Sequence, residues 1–315
     1  MNIRQVQYFT AVYEEGGFRK AAQRENCTQS GLSQQIRKLE ERLGVSLFER
    51  TSQGVSPTVA GSEYYTLCIP ILRSVHEAEQ KIAELQGSLS GTIRAGLIPS
   101  LTKGVLAQVL DAFVKEHPGI DFHLVEAYSQ SLTEQVIANK LDFAIVPVMP
   151  ETSVPGLHRR VLSIEKELLL SGPALGLPEL EPVPLAELAD LKLVLPSPAN
   201  SRRPYLDSQI IKAGVVPSRI MNIDGMTGTL EFVAESDWVT ILPVTNCINE
   251  LGRGRMTLNP IVNPEIIFEF ILIEPSHRPP PAAARLFIEK IETRLSEIRV
   301  EWQRVVRSSR KHNKR

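Results

Sequence analysis

Residues 29–43 constrain the fold more than any other segment, because their apolar and polar side chains separate onto opposite faces of one helix. The apolar face consists of Leu32, Ile36, Leu39 and Leu43. At about 100° per residue, these side chains fall within about 60° of one another. The opposite face carries Ser30, Gln34 and Arg37, with Ser33 beside them. We therefore expect one face to pack in a core and the other to present hydrogen-bonding groups and one arginine.

The segments on either side of this helix favour a winged helix–turn–helix arrangement. Two shorter helices are predicted before it, the first ending at Gly16-Gly17 and the second containing Ala21-Ala22, which permit close helix contact. After it, the run SLFERTSQGVSPT predicts a small hairpin, or wing, that carries Arg50. An amphipathic helix alone most often indicates packing. This combination is typical of a helix whose polar face reaches base edges in a DNA major groove.

A long apolar stripe follows in residues 59–89, whose pattern predicts one helix. Its members are Leu67, Ile71, Val75, Ala78, Ile82, Leu85 and Leu89. Their spacing alternates between three and four residues, which is the pattern of a coiled-coil seam. Pro70 lies inside the stripe and is expected to bend the helix. We predict that the stripe pairs with another chain; the alternative is a helix that lies along its own domain.

From Gly91 onward, extended and helical patterns alternate, which indicates βαβ units on a mostly parallel sheet. The first extended runs are TIRAGLIPS, IDFHLVEA and LDFAIVPV. A second set contains KELLLSG, LKLVLPSP, RIMNIDG and WVTILP, and the late run IIFEFILIE returns the chain to the sheet. Two such sets predict two α/β lobes with a cleft between them.

Composition and charge are those of a globular protein and exclude several classes. The chain of 315 residues is 43% hydrophobic and 23% charged, with a net charge of −1, so nucleic-acid binding requires a local patch. No run approaches the roughly 18 apolar residues of a membrane helix, and acidic residues stand where a signal peptide has its apolar run. The cysteines (Cys27, Cys68 and Cys247) are widely separated and indicate a reducing compartment. We expect a cytoplasmic protein.

Signals for catalysis are weak. Residues 100–103 and 163–166 both match the S-x-x-K pattern of penicillin-binding proteins, but the accompanying S-D-N and K-T-G motifs are absent. No nucleotide-binding loop or zinc-protease motif occurs, and the histidines have no metal-ligand spacing. We therefore expect no enzyme activity, no cofactor and no metal site.

The stretch AAQRENCTQSGLSQQIRKLEERLGVSLFERTSQGVSPTVAG resembles the winged helix–turn–helix signature of LysR-type transcriptional regulators, almost residue for residue. The resemblance extends along essentially the whole chain, because GTIRAGLIPSL, LDFAIV and DGMTGTLEFVAESDWVTILPV look like parts of the family's effector domain. The sequence departs from common family residues at Thr28, Ser30-Gly31, Gln53 and Asp237-Trp238. These departures bear on which operator is bound and leave the implied fold unchanged.

The resemblance implies a mixed fold: a mainly α winged helix–turn–helix head, a long linker helix, and a two-lobed α/β effector domain resembling periplasmic binding proteins. The implied parts are residues 1–58 for the DNA-binding domain, 59–90 for the dimerising linker helix, 91–298 for the effector-binding domain and 299–315 for a basic tail. Lobe I covers about 91–163 and 267–298, and lobe II about 164–266. We expect the tail to be solvated and disordered; the alternative is a supporting role in DNA or partner binding.

The resemblance also implies partners and DNA-contacting residues. The positions that match base or groove contacts are Gln29, Ser30, Ser33 and Gln34. The positions that match contacts near phosphates or the adjacent groove are Thr28, Arg37, Arg50 and Gln53. The implied partners are double-stranded promoter or operator DNA, a small-molecule effector, RNA polymerase, and further copies of the chain as a dimer of dimers.

An effector site is expected where the strand in GLIPSLTK ends at Ile98 and a helix begins. Free amides at a helix start attract anions, although Ser100 alternatively serves only as a helix cap. The positions that the resemblance and similar strand-end arguments assign to the pocket are Ser100, Leu101, Thr102, Ser129, Ser131, Ser197, Arg202 and Thr227. Arg202 and Arg203 would suit a carboxylate, or else are solvated surface residues. We expect a small organic anion.

A two-lobed small-molecule-binding protein without DNA function is the main alternative. It accounts for the βα pattern beyond Gly91 but not for the first 90 residues.

Overall fold

The computed structural model describes residues 2–51, 54–84, 89, 91–147 and 154–312. The N-terminal head consists of α1 (Ile3–Glu15), α2 (Phe18–Arg24), α3 (Gln29–Leu43), β1 (Phe48–Thr51) and β2 (Gly54–Pro57). Local sequence fixes these bounds, because the Thr28 side chain caps α3 by accepting from the Gly31 amide, and Gly44 ends it in a left-handed conformation at φ +70°. The predicted three helices and antiparallel hairpin are confirmed.

The core of the head contains the apolar face of α3 with one exception. Leu32, Ile36 and Leu39 are buried against Val6 and Phe9 of α1 and neighbouring residues. Leu43 was predicted to share this face, but its side chain is 40% exposed. It lies at the last residue of α3, beyond the end of the packed neighbours, so this part of the prediction is wrong.

The linker helix α4 spans Val59–Glu84 and contains Pro70. Of the predicted stripe, Leu85 lies outside the described residues, and Leu89 is not helical. Its first half also belongs to the head, because Cys68 and Leu72 are buried in the core of the head. The predicted apolar stripe occupies a different face, which the chain itself leaves largely uncovered.

The rest of the chain builds one extended sheet. Its strands are β3 (Gly91–Leu97), β4 (Ile120–Glu126), β5 (Phe143–Pro147), β6 (Leu157–Ser171), β7 (Val183–Pro184), β8 (Lys192–Leu195), β9 (Arg219–Asn222), β10 (Trp238–Pro243), β11 (Thr257–Val262) and β12 (Ile267–Pro275). They follow the order β4-β3-β5-β12-β6-β10-β8-β9, with β11 pairing to β6 and β7.

Two parallel groups, β4-β3-β5 and β10-β8-β9, are joined by antiparallel β12 and β6. The sheet is therefore mixed rather than mostly parallel, because the returning strand β12 inserts between β5 and β6. The 15-residue strand β6 also runs straight through the boundary expected between lobes near residue 163.

Helices cover the sheet. They are α5 (Pro99–Leu101), a π-helical turn (Thr102–Leu106), α6 (Ala107–Glu116), α7 (Ser129–Ile137), α8 (Arg203–Lys212), α9 (Met226–Ala234), α10 (Val244–Cys247) and α11 (Ala282–His312). Short 3-10 turns occur at Pro173–Leu175, Leu185–Asp190 and Ile248–Glu250. One core cluster fills the first lobe around Phe113, Phe143 and Phe287, and a second fills the other lobe around Leu193 and Leu206. The sheet thus carries two packed lobes, as predicted.

The C-terminal stretch differs from its prediction. Residues 299–312 continue α11 instead of forming a disordered tail. The physical reason is an apolar stripe that extends past residue 298, since Trp302 is 6% exposed and Val306 packs against the same core. Across the described ranges, no helix has the length and apolar character that crossing a membrane requires.

Candidate functional site

The polar face of α3 lies on the surface of the head. Thr28, Gln29, Ser30, Gln34 and Arg37 are exposed. Ser33 is half-buried beside them. The hydroxyl of Thr28 is already used as the helix cap, at 3.2 Å from the Gly31 nitrogen. This face therefore presents amides, hydroxyls and one guanidinium, which is the chemistry that reads base edges and phosphates.

The wing follows directly on this face. Strands β1 and β2 pair from Phe48 opposite Pro57 to Thr51 opposite Gly54. Arg50 lies on β1, but its side chain is outside the described residues, as is Gln53 altogether.

A cleft opens where the carboxyl ends of the parallel strands of the two lobes face each other. One side is formed by residues after β3 and β4 and by the last residue of β5, and the other by residues in or after β8, β9 and β10. The described residues that line it are Ile98, Pro99, Ser100, Tyr128, Ser129, Pro147, Leu195, Pro196, Asn200, Arg202, Ile223, Asp224, Met226, Thr229, Thr240, Ile241 and Leu242. A cleft at this edge of an open α/β sheet is the usual position of a ligand site.

Three of the expected effector residues reach this cleft. Ser100, Ser129 and Arg202 line it. Ser100 is 4% exposed and is not the helix cap, because α5 begins at Pro99 with Ile98 in the cap position. Its hydroxyl therefore remains available to a molecule in the cleft.

The other expected residues lie elsewhere. Leu101 is buried in the core of the first lobe. Thr102 donates to the Pro99 carbonyl oxygen and to the Glu126 carboxylate. Ser131 and Thr227 are exposed outside the cleft, and Ser197 contributes a backbone N–H to Asp224 at 2.9 Å.

Four helix N-termini converge on the cleft. They belong to α5, α7, α8 and α9, whose cap residues are Ile98, Tyr128, Arg202 and Gly225. At α5, α7 and α9 no side-chain hydrogen bond reaches the first amides, whereas at α8 the Asn200 Oδ1 accepts from the Arg202 backbone N–H at 3.0 Å. Uncapped amides and the helix dipole make such ends favourable for negative charge. The carboxylate of Asp224 on the cleft wall partly offsets this field.

Arg202 is the cationic side chain among the residues that line the cleft, and it is paired. One of its terminal nitrogens donates to Glu167 Oε1 at 2.7 Å and Oε2 at 2.9 Å, and to the Ile241 carbonyl oxygen at 3.1 Å. Its Nε is buried without a hydrogen-bond partner among the described residues. Burial raises the pKa of Glu167, against the opposing charge of Arg202. Arg203 is engaged by Asp207 and Asn222.

A second buried carboxyl group, that of Glu165, lies on β6 together with Glu167. Glu165 accepts from the Thr245 backbone N–H at 3.0 Å and from the Thr245 hydroxyl. Burial raises the pKa of Glu165 to about 7, and the neighbouring Glu167 acts in the same direction, whereas the bonds from Thr245 oppose the shift. Within the described part of the chain, no group of three or more His, Cys, Asp or Glu residues is arranged to hold a metal ion.

Contacts across the cleft hold the two lobes close together. The Tyr128 hydroxyl donates to the Asp224 carbonyl oxygen, and the hydroxyls of Ser129 and Ser201 lie 2.9 Å apart. The enclosed space is about 50 Å³, whereas an engineered cavity of about 150 Å³ holds benzene. A ligand larger than a few atoms therefore requires the lobes to separate or these contacts to be replaced.

Sequence reasoning missed several residues that line the cleft, notably Tyr128, Asn200, Asp224, Thr229 and Thr240. Their strand-end positions were available as a signal for the first three. Thr229 on α9 and Thr240 on β10 face the cleft because of the way these two elements pack, and local sequence does not reveal that packing.

Comparison with known proteins agrees with this architecture. The family model "LysR substrate binding domain" matches residues 86–296, and "Bacterial regulatory helix-turn-helix protein, lysR family" matches residues 3–62. The "Hydrogen peroxide-inducible genes activator" of Escherichia coli O6:H1 is 29% identical over 271 residues, covering 84% of this chain and 86% of the relative. The regulator BenM of Acinetobacter baylyi is 28% identical over 274 residues, covering 85% and 88%.

A solved structure, CbnR complexed with its target DNA, has the same fold, with a TM-score of 0.54 and 22% identity over 94% of this chain and 100% of CbnR. The match of the head to a DNA-binding family overturns the alternative of a binding protein without DNA function. The two family matches together cover most of the chain, from the head through the second lobe. The chain belongs to the LysR family of bacterial transcriptional regulators.

Proposed function

We propose that the polar face of α3 reads an operator in the major groove. Gln29, Ser30, Ser33 and Gln34 contact base edges. The exposure of the first, second and fourth of these, opposite the packed Leu32, Ile36 and Leu39, supports this role. The neighbouring positions Thr28, Arg37, Arg50 and Gln53 contact phosphates or the adjacent groove.

We further propose that the effector is a small organic anion bound in the cleft. The observation that carries this proposal is the convergence of four helix N-termini, three of them without a side-chain cap, on one enclosed space. Ser100 and Ser129 supply hydroxyl donors. Arg202 supplies positive charge, though Glu167 already neutralises much of it. Binding of the anion therefore depends on the helix N-termini more than on an unpaired cationic side chain.

The cross-lobe contacts close the cleft. The effector shifts the equilibrium between open and closed arrangements of the lobes because it binds one of them more tightly. An effector that replaces the bond from Tyr128 to Asp224 changes the angle between the lobes. This change is the signal that the linker helix passes to the head.

The exposed stripe on α4 supports a homodimer, because Leu67 and Ile82 are 66% and 61% exposed within one chain. The family relationship extends this proposal to a dimer of dimers, to RNA polymerase as a further partner, and to action in the cytoplasm where promoter DNA is found.

Peroxide sensing through Cys68 or Cys247, which the name of one relative suggests, is disfavoured. Burial raises the pKa of Cys68 and raises that of Cys247 strongly. Since the thiolate is the reactive form, both thiols are poorly suited to react with peroxide.

A thermal-shift screen of small carboxylates tests the effector proposal. At least one carboxylate should raise the melting temperature of the wild type. Ser100→Ala and Ser129→Ala should reduce that increase, because each removes a hydroxyl that lines the cleft. Ser131→Ala, on the same helix as Ser129 but outside the cleft, is the matched control and should behave as wild type. Stabilisation by neutral or cationic compounds alone, or an undiminished increase in both cleft variants, would contradict the proposal.

A further inference from the structure

The DNA-binding head is attached to its own effector domain by a buried polar cluster. We name Glu14, Arg24, Tyr65, Ser276 and His277 the interdomain cluster. The Glu14 side chain, in the last turn of α1, is 1% exposed and lies 2.7 Å from Arg24 Nη1. Its Oε1 accepts from the Tyr65 hydroxyl at 2.7 Å and from the Ser276 hydroxyl at 2.9 Å.

Three parts of the fold meet in the interdomain cluster. Glu14 and Arg24 belong to the head, Tyr65 to α4, and Ser276 and His277 to the segment after β12. Arg24 Nη2 lies 3.3 Å from the His277 ring nitrogens. The Tyr65 oxygen accepts from an effector-domain amide, that of Gly156, at 3.0 Å. The contact therefore joins polar groups of the head, of α4 and of the effector domain.

The electrostatics agree with a formed contact. Burial acts to raise the pKa of Glu14, but His277, whose Nδ1 lies 3.7 Å from Glu14 Oε2, and the charge of Arg24 outweigh it and lower the pKa to about 2. A neighbouring ion pair strengthens the junction, because Arg73 of α4 bonds Glu274 at 2.8 Å and the Ser276 carbonyl oxygen at 3.3 Å.

The interdomain cluster leaves the recognition face free. It uses the ends of α1 and α2, whereas Gln29, Ser30 and Gln34 remain exposed on α3. The attached head therefore keeps its DNA-reading surface, and the contact restricts where the head sits and how it is oriented.

The same contact lies at one end of the strands that join the two lobes. Gly156 precedes β6, and Ser276 follows β12. Further along β6, Glu167 binds Arg202 at the effector cleft. The ten residue-to-residue steps from Leu157 to Glu167 span roughly 33 Å in an extended strand. One rigid element thus connects the cleft to the head.

We propose that the interdomain cluster fixes the position of the head against its own effector domain, and so sets the distance between the two DNA-reading helices of a dimer on an operator. This inference rests on DNA reading by α3 and on dimer formation; it does not require the effector to be known.

Distance measurement between two spin labels tests the attachment. In a Cys27→Ser background, labels at Lys20→Cys on α2 and Lys140→Cys in the effector domain report the position of the head, since both lysines are exposed. An excess of unlabelled chain removes distances between subunits. The wild type should give a single narrow distance distribution.

Tyr65→Phe and Ser276→Ala should lose that narrow distribution. The first keeps the ring stacked on Tyr13 at 4.0 Å, and the second lies outside the head, so neither is expected to unfold it. Tyr8→Phe is the matched control, because its hydroxyl bonds only Arg4 within the head. A narrow, unchanged distance in both cluster variants would overturn the proposal.

A footprint on operator DNA separates this inference from the proposed DNA reading. Tyr65→Phe should change the length of the protected region and keep the same half-site sequence. Protection of unchanged length would contradict the positioning role. A changed half-site sequence would also count against it, because it would place the cluster in recognition rather than spacing. Loss of sequence preference in the wild type would instead contradict the proposed DNA reading.

Discussion

The guanidinium of Arg202 and the carboxylate of Glu167 form a buried ion pair beneath the effector cleft, with distances of 2.7 and 2.9 Å from one nitrogen to both oxygens. Glu167 is 1% exposed, and Arg202 is 8% exposed on the cleft wall. The pair links a residue that lines the cleft to strand β6, which joins the lobes. Removing one partner leaves the other charge buried without compensation, and that is more costly than removing both.

Arg202→Met should lower the free energy of unfolding by roughly 3–5 kcal/mol, the range for breaking a buried pair. The double variant Arg202→Met with Glu167→Met should recover much of this loss, because no buried charge remains. Denaturant unfolding of the two single variants and the double variant measures the difference. Arg160→Met, which breaks an exposed pair with Glu292, should change stability little. Additive losses in the double variant would contradict a coupled pair.

Glu165 should make stability depend on pH near neutrality. Its pKa is raised to about 7 from 4.5, so the folded chain holds a proton that the unfolded chain has released. The contribution of protonated Glu165 to the free energy of unfolding is fully present below pH 4.5. It is lost as pH rises to about 7. At about 1.4 kcal/mol per pH unit, the loss is roughly 3 kcal/mol.

Glu165→Gln should abolish this dependence, because the amide stays neutral and its oxygen still accepts from Thr245. The readout is the difference in unfolding free energy between variant and wild type from pH 4.5 to 8, which should grow as pH rises. Glu134→Gln, exposed on α7, is the control and should parallel the wild type. A constant difference for Glu165→Gln across the range would argue against a raised pKa.

The stripe on α4 should carry the dimer contact. Leu67→Glu and Ile82→Glu place charges in an apolar seam, so sedimentation should show a smaller assembly with weaker operator binding. Thr66→Glu, exposed on the same helix but turned away from the stripe, should keep the wild-type assembly. If the two seam variants sediment like the wild type, the stripe packs within one chain instead.

Sequence periodicity predicts the local features of this molecule well. The two faces of α3 follow from side-chain spacing alone, and the structure departs from them only at Leu43, where the helix ends. The strands and helices of both lobes are likewise visible as alternating patterns. Missed elements such as β11 are short runs interrupted by proline.

Features that depend on distant contacts could not be predicted. Arg202 and Glu167 are 35 residues apart, and Glu14 and Ser276 are 262 apart, so no local pattern relates them. The cleft uses Thr229 rather than Thr227 because packing of α9 against the sheet, and not the sequence, decides which side of its first turns faces inward. Likewise, α11 continues to His312 only because Trp302 finds a core to pack in.

Gln34→Ala tests sequence-specific DNA binding through α3. Fluorescence anisotropy with an operator fragment selected from genomic DNA should show a loss of roughly 1–3 kcal/mol in specific affinity, the range for a lost base contact, with unchanged binding to random DNA. Gln108→Ala, an equally exposed glutamine on α6, should bind as wild type. Equal operator affinity for Gln34→Ala and wild type would contradict the account.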